Sequence, residues 1–303
     1  MVKMINVDIT LLFKEAPQPW FPEALVRGGL GFAIKRMICL YKKTGDCGGC
    51  IVGASCLYSL MFSEVGKTRK GLQVSPYGIS CAADNNRLII NFVLFEPLLN
   101  YCGHIIAILT ELGKEGVGNR RYKYGVEGIA DRFAPDKIYT GDEIKNFAPV
   151  IKTFDLSKQN NTSADTEHFS DGCVISFVSP TRIEKNRKLV DEIDFADVVR
   201  FSAMRYLNLE RAFYSGIILF AETAKQLEAE AGLVKTDTAN FEWVRKDRYS
   251  SKQRNRISMG GFMGSISFSG DISPFCELLD FASQCGIGKN TTFGCGRFTF
   301  TSK

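Results

Sequence analysis

The stretch that decides the fold is Pro274-Phe-Cys-Glu-Leu-Leu-Asp-Phe-Ala-Ser-Gln-Cys285, continuing through Gly286-Ile-Gly-Lys-Asn-Thr-Thr-Phe-Gly-Cys-Gly296 into Arg297-Phe-Thr-Phe-Thr301. Its first part reads as a short helix, with Asp271 or Ser273 as candidate N-cap. The middle carries glycines at the spacing GxG-x5-GxG, which permits positive φ and close backbone approach. The last part alternates apolar and polar residues like a strand. The same order occurs once before. A helix over 98–112 leads into the loop Gly113-Lys-Glu-Gly116-Val-Gly118, then into a strand, Arg121-Tyr-Lys-Tyr-Gly-Val-Glu-Gly-Ile129. A repeated helix, glycine-rich loop and strand point to one unit used twice.

Working outward, residues 5–13 read as a strand, 23–43 as a helix, and 72–80 and 87–95 as two strands joined by the turn cluster Asp84-Asn-Asn86. The order strand, helix, strand, strand, helix, strand is the split βαβ, or ferredoxin-like, unit. The second half repeats it, with Val174–Val178 as first strand, helices over 194–214 and 217–231, and strands over 241–249 and 258–268. The expected fold class is α+β: tandem ferredoxin-like (RRM-like, βαββαβ) domains with a cysteine-bearing insert in the first. The domains are placed at 1–134, with the insert at 44–71, and at 172–303, with the glycine-rich loop at 286–296. Residues 135–171 read as a linker.

The chain has 303 residues, 45% of them apolar and 23% charged, so it carries enough apolar side chain to fold throughout. The net charge of +5 favours anionic partners mildly. Only two histidines exist, His104 and His168, which excludes a centre needing several of them. No basic head precedes an apolar run at the N-terminus, and no run of about 18 apolar residues occurs, so neither a secretory signal nor a membrane partner is expected. A cytoplasmic location is the expectation. There the ten cysteines serve as thiols or metal ligands rather than disulfides.

The second glycine loop is neither a Walker loop nor a dinucleotide fingerprint. Position 283 is Ser, Asn290 follows Lys289, position 291 is Thr, and a strand follows instead of a helix. What remains is a loop of amide groups flanked by Lys289 and Arg297, a form that can hold a phosphate; a tight packing turn is the competing reading. Its candidate RNA contacts are Gly286, Gly288, Lys289, Asn290, Thr291, Gly294, Gly296 and Arg297. A second basic run, residues 245–256, interleaves Arg248, Lys252, Arg254 and Arg256 with aromatic Tyr249, beside Trp243. Cations next to aromatic rings suit RNA, where phosphate contact and base stacking act together; a solvated hairpin arm is the alternative. Cys39, Cys47, Cys50 and Cys56 include a CxxC knuckle and are candidate ligands for a structural zinc, with an iron–sulfur cluster the less favoured alternative. His104, on an apolar helix, reads as a structural residue. His168 lies in a polar loop.

These motifs resemble the CRISPR repeat-RNA (pre-crRNA) processing endoribonucleases, the sixth Cas family of the RAMP superfamily. The resemblance rests on Ile175–Ile183, Ile193-Asp-Phe195, Arg205–Leu209, Arg248–Ser251, Gly260–Ile266 and the loop 286–298. In the first half it rests on Arg27-Gly-Gly-Leu-Gly31, the cysteines and Cys56-Leu-Tyr58. The resemblance implies binding of CRISPR repeat RNA, with Arg27 among the contacts, and assembly with other Cas effector subunits. It implies metal-independent cleavage, with no catalytic cofactor. The ribose 2′-OH attacks the adjacent phosphate and leaves 2′,3′-cyclic phosphate and 5′-OH ends. Many members place a histidine in or just after the first long helix. This chain has none there, and the catalytic candidates are Tyr41, Lys35, Arg36 and His168. The alternative is a non-catalytic crRNA-binding subunit.

Overall fold

The structure is a computed structural model. It describes residues 1–15, 22–39, 47, 49–63, 74–157, 169–190, 192–214, 220–250 and 255–303. The chain forms two compact units: Lys3–Lys152, and Thr153–Lys303 joined by Met1–Val2.

The first unit runs β1 (Val2–Phe13), α1 (Pro22–Ile38), a one-and-a-half-turn α2 (Leu57–Phe62), β2 (Tyr77–Asp84), β3 (Arg87–Phe95), α3 (Cys102–Glu115), β4 (Tyr124–Asp131) and β5 (Ala134–Thr140). Its antiparallel sheet has the order β2-β3-β1-β4-β5. Apart from the edge strand β5, this is the ferredoxin-like order expected from the sequence. In β1, Val7, Ile9, Leu11 and Phe13 alternate into the core. They meet Leu30, Ala33 and Ile34 of α1 and Ile105, Leu109 and Leu112 of α3 in one apolar cluster. The edge strand β5 falls in the stretch read as linker. It is exposed at nearly every position, so no apolar alternation marks it.

The second unit begins with β6 (Lys152–Phe154), then β7 (Gly172–Thr181), a small hairpin β8 (Ile183–Lys185) and β9 (Lys188–Val190), α4 (Phe195–Phe213) and α5 (Ala221–Ala231). It continues with β10 (Lys235–Val244), a separate hairpin β11 (Asp247–Ser250) and β12 (Asn255–Ser258), β13 (Gly261–Ser269), α6 (Cys276–Cys285) and β14 (Phe298–Ser302). The sheet order β10-β13-β7-β14 repeats the first unit's core order. Asp194 starts α4 through a capping box: the Asp197 amide donates to Asp194 Oδ1 at 2.8 Å, and the Asp194 amide donates back to Asp197 Oδ2 at 3.1 Å. Several of the chain's 23 phenylalanines build the core here. Phe195 meets Phe268 and Phe275 edge-on at 5.0 Å, and Tyr206 meets Phe220 and Phe281 at 4.9 and 5.1 Å.

Several boundaries differ from expectation, and two of them have a clear physical reason. β10 starts at Lys235 rather than 241, because it too is an exposed edge strand with no buried stripe. Helix α6 uses neither Asp271 nor Ser273 as its N-cap. A 3-10 turn over Ser273–Phe275 precedes it, and Asp271 Oδ1 accepts from the Ser273 amide at 2.9 Å. The first unit does the same: a 3-10 turn over Leu99–Tyr101 leads into α3. Both helices also end on a glycine of positive φ, Gly116 at 89° and Gly286 at 76°. The duplication therefore extends to helix starts and stops.

Candidate functional site

In the first unit, a cavity of about 340 Å³ opens where the end of α1, the segment before α2 and the start of α3 come together. Lys35, Cys39, Cys47, Cys50 and Cys56 line one part of it. Tyr58, Tyr101 and His104 line another. The ferredoxin-like topology packs α1 on α3, so groups 65 or more residues apart in sequence reach one hollow. Tyr101 Oη donates to the Ser55 carbonyl at 2.5 Å and ties the insert to α3. The Tyr101 and His104 ring centroids are 5.7 Å apart. Lys35 Nζ sits over the Tyr58 ring, 5.6 Å from its centroid. Burial pushes the Cys47 thiol up; Cys56, Cys39 and Cys50 add to this, and Lys35 opposes it. Among the described residues, no group of three or more His, Cys, Asp or Glu stands in metal-holding geometry.

Other first-unit candidates are engaged within the fold. Arg36 pairs with Glu115, which holds that carboxyl below the usual range, and it lies over the Phe32 ring. Arg27 donates from Nε to Tyr77 Oη at 2.9 Å, and its guanidinium sits 5.0 Å from the Phe62 ring centroid. Tyr41, His168, Lys252 and Arg254 lie outside the described residues.

In the second unit, the loop 286–296 does not present a row of free amides, as its glycines suggested. The Ile287 amide donates to Gly296, Lys289 to Arg182, Gly294 to Thr291, Cys295 to Asn290 and Gly296 to Pro180, all at backbone carbonyls. The Arg297 amide donates to Ser179 Oγ at 2.8 Å. Gly286, Gly288, Gly294 and Gly296 all take positive φ, and Asn290 adopts the left-handed region at 63°. A Cβ at Gly296 would overlap the Ile287 carbonyl. The packing-turn reading thus accounts for most of this loop's backbone, with Thr291 buried and Gly288 and Lys289 exposed. Lys289 pairs with Glu184, so its charge is partly answered within the fold.

The basic arm is the β11–β12 hairpin, a two-stranded sheet of its own. Arg256 is exposed on it. Arg248 is not wholly given to solvent: its guanidinium lies over the Phe293 ring, 4.5 Å from the centroid. The structure thus brings the arm and the glycine loop side by side, joining two candidate groups about 40 residues apart in sequence.

His104 lies outside the buried stripe of α3, on its exposed side. Its neighbours Ile105, Ile106, Ile108 and Leu109 made the helix look apolar. His104, Ala107 and Glu111 are exposed at helical spacing, while those neighbours are buried. That 3.6-residue stripe was available in the sequence.

Comparison with known proteins follows the division into units. Residues 2–150 match a family described as the AF_1859 N-terminal domain, and residues 175–298 match the family described as CRISPR-associated endoribonuclease Cas6. No curated protein matches in sequence. Among solved structures, Thermus thermophilus Cas6 (TTHB231) is similar over 99% of this chain and 99% of its own, at 12% identity and a TM-score of 0.58. A Cas6 (TTHA0078) product complex matches over 99% of this chain and 100% of that one, at 14% identity and 0.55. A partial Cas6-RT-Cas1–Cas2 complex matches over 100% of this chain and 46% of that chain, at 13% identity and 0.55. At such identities the structural likeness speaks for the fold, which is the tandem ferredoxin-like arrangement already described. The second unit thus resembles the CRISPR-associated endoribonuclease Cas6 family in sequence over residues 175–298, and the whole chain shares the fold of the solved Cas6 proteins.

Proposed function

We propose that this chain binds CRISPR repeat RNA and cleaves precursor crRNA without a catalytic metal. The 2′-hydroxyl loses its proton and its oxygen attacks the adjacent phosphorus. The P–O5′ bond breaks, and the departing 5′ oxygen takes up a proton, leaving 2′,3′-cyclic phosphate and 5′-OH ends. The observation that carries this reading is the shared cavity of Lys35 and His104. Such chemistry needs a group that accepts and returns a proton near neutral pH, and a cation for the charge on phosphorus. An imidazole and an ammonium are that pair, supplied here from α3 and α1. Tyr58 and Tyr101 add hydroxyls on the same rim. Tyr41, Arg36 and His168 stay as further candidates.

RNA is held in this reading by the second unit's arm and loop, with Arg248, Arg256, Lys289 and Arg297 as contacts, and Lys252 and Arg254 beside them in sequence. Arg27 is the corresponding first-unit contact. The relative found with Cas1–Cas2 supports a proposal that this chain also assembles with other Cas subunits. No helix among the described residues is long and apolar enough to cross a membrane. The ten cysteines are free thiols, which suits the proposed cytoplasmic location.

The test is incubation with end-labelled repeat RNA in EDTA, followed by end-group analysis. Cleavage to a cyclic phosphate supports the reading. Tight binding without cleavage favours the second reading, a crRNA-binding subunit, for which the absence of histidine from α1 speaks.

A further inference from the structure

The described residues ahead of α2, from Cys47 to Ser55, pose a packing problem that their own side chains do not solve. Among the described residues 47–55, Gly49, Ile51, Val52, Ala54 and Ser55 are exposed, Ile51 by 87%. The side chains this stretch turns partly inward are Cys47 and Cys50. Its backbone is a series of turns, with the Cys50 amide donating to Cys47 at 3.4 Å and the Gly53 amide to Cys50 at 2.9 Å. A stretch that buries so little apolar surface gains almost nothing from the hydrophobic effect.

The two flanking cysteines stand on firm ground. Cys39 closes the last turn of α1, its amide donating to Lys35 at 3.2 Å. Cys56 is the N-cap residue of α2, its carbonyl accepting from Leu60 at 2.9 Å. All four thiols are free, half-buried and line the one cavity. Two come from a CxxC turn and two from the ends of packed helices, the usual composition of a structural site in which thiolates surround one soft cation. Thiolates select soft metals over magnesium or calcium, and among the described residues no carboxylate lines the cavity.

We propose that Cys39, Cys47, Cys50 and Cys56 bind one zinc ion, which pins the 47–56 segment between α1 and α2. The four sulfurs share the hollow without already standing in ligand geometry, so metal binding draws the turn inward as it forms. The four cysteines lose their protons on binding, and zinc keeps its charge state throughout. The proposal does not rest on the nuclease reading, because metal content is read without RNA or cleavage.

The full chain, expressed with zinc in the medium, is to be analysed for metal by mass spectrometry. About one zinc per chain is expected, as for a four-thiolate site. Cys47→Ser/Cys50→Ser should lose it, while Cys81→Ser, on β2 and outside the cavity, should retain it. Should the double variant be insoluble, titration of the unaltered protein with a mercurial decides: zinc should be released as thiols are blocked. A zinc-free chain, or zinc that survives complete thiol blockade, overturns the proposal. Iron and sulfide with a visible absorption band overturn the zinc assignment in favour of a cluster.

Discussion

Arg248 lies over Phe293, its guanidinium carbon 4.5 Å from the ring centroid, and so ties the basic hairpin to the glycine-rich loop. Phe293 is buried, so the ring that receives the cation is itself fixed. Such a contact contributes about 0.5–1 kcal/mol where partly exposed. Arg248→Ala should therefore lower stability in urea by about 1 kcal/mol, before any effect on RNA. An unchanged urea midpoint would show that the arm does not depend on this contact.

The glycines of the protein divide by what surrounds them. Gly296 has φ of 76° and no room for a Cβ beside Ile287, so Gly296→Ala should cost more than about 3 kcal/mol or prevent folding. Gly28, within α1, has nothing within 4 Å of a built Cβ. Gly28→Ala should stabilise the first unit by about 0.5–1 kcal/mol, because alanine loses less backbone entropy in a helix. Urea titrations of both variants test the contrast.

Burial pushes the Cys102 and Cys173 thiols up to about 12 and the Cys276 thiol to about 11. A thiol raised in the folded state favours folding while it stays protonated. That stability is intact below the ordinary thiol value of about 8.5 and is lost as pH rises from there toward 11–12. These three cysteines should thus resist iodoacetamide at about pH 8 until urea is added. Thermal stability should fall above about pH 9. Rapid labelling of Cys102 in the folded protein would contradict its burial.

For catalysis, His104→Ala should slow repeat-RNA cleavage by about 10²- to 10⁴-fold with little change in affinity. Lys35→Ala should slow it too, while Lys35→Arg, which keeps the charge, should restore part of the rate. Equal rates for His104→Ala and the unaltered chain would remove this residue from the mechanism.

For binding, Lys289→Ala with Arg297→Ala should weaken RNA affinity. Its salt dependence should flatten by about 0.7 log units for each single-strand phosphate that the variant leaves without a cation. Glu184→Gln should act in the opposite direction, by freeing Lys289 from its ion pair. Affinity that stays constant in the double variant would reduce this loop to the packing turn its amide bonds describe.

Much of the fold was written in local pattern. The alternation in Val7–Phe13, the helical stripe of α3, the capping Asp194 and the repeated glycine loops each report a backbone preference that neighbours in sequence enforce, and together they determined the tandem ferredoxin-like order. The edge strand β5 and the first six residues of β10 escaped that reading because a strand bonded on one side and wet on both faces needs no apolar period. Tertiary structure alone decided three further matters. It committed the loop amides to carbonyls on β7, in the turn beyond it and within the loop itself, and it laid Arg248 on Phe293. It also placed His104 on a cavity with Lys35 and the cysteines. The physical reason is common to all three: each depends on groups brought together by sheet closure and helix packing, between residues distant in the chain that no local period encodes.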